Sequence, residues 1–206
     1  MANVTTELGV ANLALQRIGV KASTDLAGTD KKSVAANRIL SDTRDEVQRM
    51  FPWNCLINRQ VLSTGTAGTS SFSYIHTLGA TCLRVLEVLD SADDYAENIP
   101  YRREGDYLYT DQKTGYVRYI KQTTNITPWD PFLLSAIESR MASKLAVWLT
   151  GKIALGQVMH QDFMQTISLA INVRAMEGKF EDNRKLLAML DMQYVPLLAS
   201  DKRISE

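Results

Sequence analysis

Apolar residues recur at spacings of three and four near both ends of this chain, and the recurrence fails between Leu56 and Gln122. A helix needs that spacing to keep one dry stripe, whereas a strand needs alternation, so the sequence commits its two ends to helix and its middle to something else. Leu8, Ala11, Leu15 and Ile18 predict a first helix from about Thr6 to Ile18, with Thr5 or Thr6 as the capping hydroxyl and Gly19 as its end. Thr29 or Asp30 caps a second, whose stripe is Ala36, Ile39, Leu40, Thr43, Val47 and Met50. Arg38, Asp42, Arg44, Asp45 and Arg49 occupy its wet face.

The second helix runs into Phe51, Pro52, Trp53 and Asn54. Proline disfavours helical geometry at the residue before it, so the chain turns at Phe51. Phe51 and Trp53 are then free to pack beneath the helices while Asn54 caps local backbone groups. These four residues form an expected structural anchor, a pin between the two helices and the non-helical middle of the chain.

From Leu56 onward the segments "INRQVLST", "CLRVLEVL", "PYRREGDYLYT" and "GYVRYIKQ" are rich in Val, Ile, Leu, Tyr and Thr and read as strands. Gly105 and Gly115 mark tight turns, which predicts a three-stranded antiparallel meander over residues 99 to 121. "STGTAGTSS" and "SADDYAEN" read as surface loops. Helix returns after Asp130, a cap, with Pro131 in the first helical position. Leu134, Ile137, Met141, Leu145 and Trp148 carry its stripe, which makes Trp148 a further anchor, and Gly151 closes it. A last helix is expected from about Val158 to Leu190, bent or broken at Gly178.

These elements give an α+β fold class: a discontinuous helical bundle from residues 1–55 and 123–190, an inserted antiparallel β module over 56–122, and a C-terminal tail over 191–206. That tail holds an apolar knot, Tyr194, Val195, Leu197 and Leu198, before a charged end. It is too short for a domain and too apolar for a free end, so it is expected to dock on a partner.

Twenty-three basic residues balance 23 acidic ones, which disfavours tight nucleic-acid binding because counterion release needs a basic excess. The balance leaves room for a surface past which DNA slides. No apolar run is long enough to cross a bilayer and no signal segment is evident, so a soluble protein of a cytosol-like compartment is expected. Cys55 and Cys82 read as buried thiols, and His76 and His160, without metal-ligand spacing, give no metal site. No cofactor is expected.

Catalytic patterns are equally sparse. "GTAGTSS" lacks the lysine of a phosphate-binding loop and precedes a strand. Asp93, Asp94 and Glu97 pair carboxylates as glycoside hydrolases do, but in a polar loop that would not raise the pKa of an acid catalyst. No GxSxG elbow occurs. The sequence reading is that the chain is not an enzyme and works through shape.

The segments "ELGVANLALQRIGV", "STDLAGTDKKSVAANRILSDTRDEVQRMFPWNC" and "TPWDPFLLSAIESRMASKLAVWLTG", in this order, resemble the tail tubular protein A family of tailed bacteriophages, the head-to-tail adaptor or gatekeeper proteins. The likeness covers residues 6 to 190 and is one of pattern and order. It implies a virion structural protein at the head-tail junction, made in the host cytoplasm. Such proteins form a twelve-fold homo-oligomeric ring between the portal protein and the tail nozzle, and genomic DNA passes through the lumen without tight binding. The knot at Tyr194, Val195, Leu197 and Leu198 would then dock on the portal or a neighbouring subunit, and no membrane is involved. The alternatives are a tail-associated glycanase acting on host polysaccharide through Asp93 or Asp94, and a non-viral scaffold domain.

Overall fold

The computed structural model describes residues 6–68, 71–92 and 97–177. Helix α1 (Glu7–Arg17) opens at Thr6, whose hydroxyl accepts the Gly9 N–H at 3.1 Å. It ends where Gly19, at φ +73°, takes the left-handed conformation that side-chain-bearing residues avoid. Helix α2 (Lys31–Met50) follows Asp30, whose carboxylate accepts from the Ser33 hydroxyl.

Helix α3 (Pro131–Leu145) opens at Asp130, which accepts the Phe132 N–H at 2.7 Å, with Pro131 in its first turn. It packs against both α1 and α2. That two-sided contact is why Leu133, Ala136, Ile137, Met141, Ala142 and Leu145 are all fully buried. The buried stripe thus opens at Leu133, one residue before the expected Leu134.

Residues Ala146–Thr150 continue α3 as one π-helical turn, closed by Gly151 at φ +68°. Helix α4 (Ile153–Glu177) begins earlier than the expected Val158. Gly156 explains the early start, because a Cβ there would meet Val147 Cγ2 at 3.0 Å and the Ser143 carbonyl at 3.1 Å. Glycine in this first turn admits a close approach to the end of α3 rather than breaking the helix.

Among the described residues the middle of the chain forms seven strands: β1 (Ile57–Leu62), β2 (Thr66–Ala67), β3 (Tyr74–Thr77), β4 (Cys82–Leu89), β5 (Tyr101–Glu104), β6 (Tyr107–Thr110) and β7 (Gly115–Lys121). They make two antiparallel sheets, ordered β1-β7-β4 and β2-β3-β6-β5. The fold is α+β, as the sequence predicts. The expected meander over 99–121 is corrected: β5 and β6 form a hairpin at Gly105, but β7 leaves β6 to become the centre of the other sheet.

The physical reason lies in β7 itself. Val117 and Tyr119 are buried on one face and Ile120 on the other, a pattern for a strand flanked by β1 and β4 rather than for the end of a hairpin. "STGTAGTSS" likewise contains β2 and is not all loop.

The sheets share one core of Leu62, Leu78, Cys82, Val85, Val88, Ile99, Leu108, Val117 and Tyr119, with Tyr101 packed at its border. This is a small sandwich. The described residues up to Phe163 belong to one compact unit, and a second begins at Met164. Of the second unit the described part is the C-terminal half of α4, where Ile167, Ala170 and Ile171 are buried and Leu169 and Val173 are exposed.

Candidate functional site

An α-helix leaves its last four carbonyls without intrahelical partners, and at the end of α2 two of them are met from outside. The Trp53 indole N–H donates to the Val47 carbonyl at 3.0 Å, and Arg84 Nη1 donates to the Met50 carbonyl at 3.1 Å. Pro52 makes the first possible, since the chain turns back there with the Trp53 N–H donating to the Phe51 carbonyl at 2.9 Å. Phe51 and Trp53 meet edge to face, ring centroids 4.7 Å apart, and Phe51, Pro52 and Trp53 are all buried. Asn54 is exposed and begins a short 3-10 turn.

The return crossing is held by the same helix. Gln48, fully buried, donates through Nε2 to the Thr123 carbonyl at 2.8 Å and accepts the Thr123 N–H at 3.2 Å through Oε1. One turn earlier, Asp45 accepts from Gln122 Nε2 at 2.6 Å. Helix α2 therefore grips the chain both where it enters the β sandwich and where it leaves. The sequence signal for the second grip was faint, because a lone glutamine beside an apolar stripe reads as wet.

Trp148 is not an anchor. It is half exposed, with the Arg38 guanidinium 5.7 Å from its ring centroid. The π-helical turn explains the error: an extra residue per turn rotates Trp148 away from the Ile137, Met141 and Leu145 stripe. Val147 and Ile153 are also exposed at this end, as is Val34 one turn before Arg38.

On the wet face of α2, Arg38, Asp42 and Arg49 are exposed as expected, and Arg44 is the correction. Arg44 is buried, paired with Glu7 of α1 at 2.7 Å and Asp45 at 3.0 Å. Glu46 accepts from Arg140 at 2.6 Å and from Lys144 at 2.6 Å, joining α2 to α3. Burial pushes its carboxyl up, but the Lys144 and Arg140 hydrogen bonds outweigh that and hold it below the usual range. Arg140 also reaches His160 Nδ1 at 3.3 Å and covers the Phe163 ring.

Glu138 is the opposite case. It shares the Arg17 guanidinium, at 3.4 Å, with Asp162 of α4. Burial raises its carboxyl above the usual range despite Arg17, and Asp162 adds to the rise. A carboxyl whose folded pKa exceeds its unfolded value stabilises the fold most when protonated. That contribution is lost as pH rises through the unfolded and then the folded value. Glu138→Gln is therefore expected to gain stability relative to wild type between about pH 4 and pH 7 in urea melts. A relative loss over that interval would show the ionised pair to be net stabilising.

The remaining residues singled out in the sequence do not converge. His76 is buried in the sandwich, its Nδ1 2.7 Å from the Ser63 carbonyl and its Nε2 3.0 Å from the Gln112 carbonyl. Both cysteines are free, and burial pushes both thiols up. Glu97 donates its backbone N–H to Asp90, while Asp93 and Asp94 lie outside the described residues, as do Tyr194, Val195, Leu197 and Leu198. Among the described residues no group of His, Cys, Asp and Glu is arranged to hold a metal, and no helix is long and apolar enough to cross a membrane.

Protein-family models were scanned and none matches the chain. A search of curated proteins likewise gives no match.

Proposed function

We propose that this chain is a virion structural protein, a head-to-tail adaptor that forms a ring between portal and tail nozzle. The observation that carries the reading is the double grip of α2 on the β sandwich, through Trp53 on entry and Gln48 and Asp45 on exit. A part that must transmit position between two partners needs its projecting module fixed to its helices. The order of segments resembling tail tubular protein A supports the same conclusion. So does the exposed apolar surface at Val147, Trp148 and Ile153, of the kind a neighbouring subunit covers in a closed ring.

The ring is twelve-fold on this reading, and its lumen passes genomic DNA without gripping it, in keeping with zero net charge. The chain then belongs to the head-tail junction of the virion, is made in the host cytoplasm, and does no chemistry. Residues 191–206 dock on the portal or a neighbour.

An adaptor that waits for a filled capsid must not close its ring early, so assembly is expected only where a portal aligns neighbours and raises their local concentration. Sedimentation of the purified chain should show a monomer, converted to a larger complex by added portal rings. A stable ring without portal would contradict the timing, and no complex with portal would contradict the function.

A further inference from the structure

Several arginines among the described residues are paired to carboxylates. Arg17 meets Glu138 and Asp162, Arg44 meets Glu7 and Asp45, Arg118 meets Glu87, and Arg140 meets Glu46. Arg84 and Arg103 spend their donors on backbone carbonyls instead. Arg103, on β5, reaches the carbonyls of Cys82 at 3.0 Å, Leu83 at 3.1 Å and Gly105 at 3.0 Å. It thereby covers the outer edge of β4 next to Arg84.

Arg84 makes only the Met50 bond among the described residues, through one Nη, which leaves the rest of its guanidinium fork unspent. The residue before Met50 is Arg49, exposed and without a carboxylate within ion-pair distance among the described residues. Burial and the charge of Arg49 both disfavour the Arg84 cation. The negative end of α2 offsets only about half a unit charge, so two cations at one helix end remain largely uncompensated. Glu87, also on β4, is committed to Arg118 at 2.6 Å.

We propose that Arg49 and Arg84, at the junction of α2 and β4, form a binding notch for a phosphate group. Phosphate supplies the missing negative charge and the planar pair of oxygens that a guanidinium fork takes in two parallel bonds. Arg84 is held in place by its bond to the Met50 carbonyl, so it is pre-oriented. Arg49, on the surface, closes over the ligand. The inference rests on these side chains and not on the adaptor reading.

The test uses the full-length chain and follows the arginine side-chain N–H signals by NMR during titration with inorganic phosphate, at constant ionic strength. Saturable shifts at Arg49 and Arg84 are expected, with a dissociation constant on the order of millimolar. Arg49→Gln, which alters an exposed side chain, should keep the wild-type melting temperature and weaken binding about tenfold, as should Arg84→Gln if it folds. A second arm titrates a short DNA duplex. Competition with inorganic phosphate at the same two signals identifies a backbone phosphodiester as the natural source, and its absence points to a free or protein-borne phosphate. Unsaturated shifts, shifts equal to those produced by acetate, or undiminished binding in Arg49→Gln would overturn the site.

Discussion

Trp53→Ala is expected to cost about 3–5 kcal/mol of stability, because a buried aromatic side chain is lost and its cavity fills only in part. The change also leaves the Val47 carbonyl at the end of α2 without its indole donor, and Phe51 without the ring it meets edge to face. Denaturant melts measure the loss. A value below about 1 kcal/mol would mean that the junction does not hold the sandwich to the helices. Trp53→Phe separates the two contributions: it keeps most of the volume and removes the hydrogen bond, so it should cost about 1–3 kcal/mol.

The second large effect is expected at His76. Its ring joins three separate segments, contacting the Ser63 carbonyl just past β1, Thr110 Oγ1 at 3.3 Å in β6, and the Gln112 carbonyl on the way to β7. Gly65 lies against the ring so closely that a Cβ would stand 2.8 Å from its Cε1 atom. His76→Leu fills similar space but offers no donor, leaving the Ser63 carbonyl without its partner at 2.7 Å and Thr110 Oγ1 without the ring, at a cost of about 1–3 kcal/mol. Hydrogen exchange should then show faster opening of β3 and β6 with the helices unchanged. Uniform exchange across the chain would mean that sandwich and helices unfold as one unit.

Element type was legible wherever it depended on local pattern. The caps at Thr6 and Asp130, the stops at Gly19, Pro52 and Gly151, and the strands around "CLRVLEVL" and "GYVRYIKQ" each depend on a few neighbouring residues. Partnership was not legible. Whether β7 pairs with β6 or with β1 and β4 depends on residues far away in the chain, and a hairpin was the nearest local guess.

Polar residues misled for a related reason. Arg44 reads as a solvated charge until Glu7 of α1 is placed beside it. One π-helical turn, invisible in a periodicity of three and four, carries Trp148 out of the stripe. The junction was legible because proline and two aromatics in succession leave few alternatives; its counterpart, Gln48 against Thr123, needed the return of the chain after seven strands.

The central claim is that the chain assembles at a portal, and electron-microscope projections of the purified protein mixed with candidate portal rings test it most directly. The account predicts an added annulus of density on one face of the portal, coaxial with its channel and twelve-fold in averaged end views. Bare portal rings beside free monomers, at protein concentrations well above those of assembly, would contradict it.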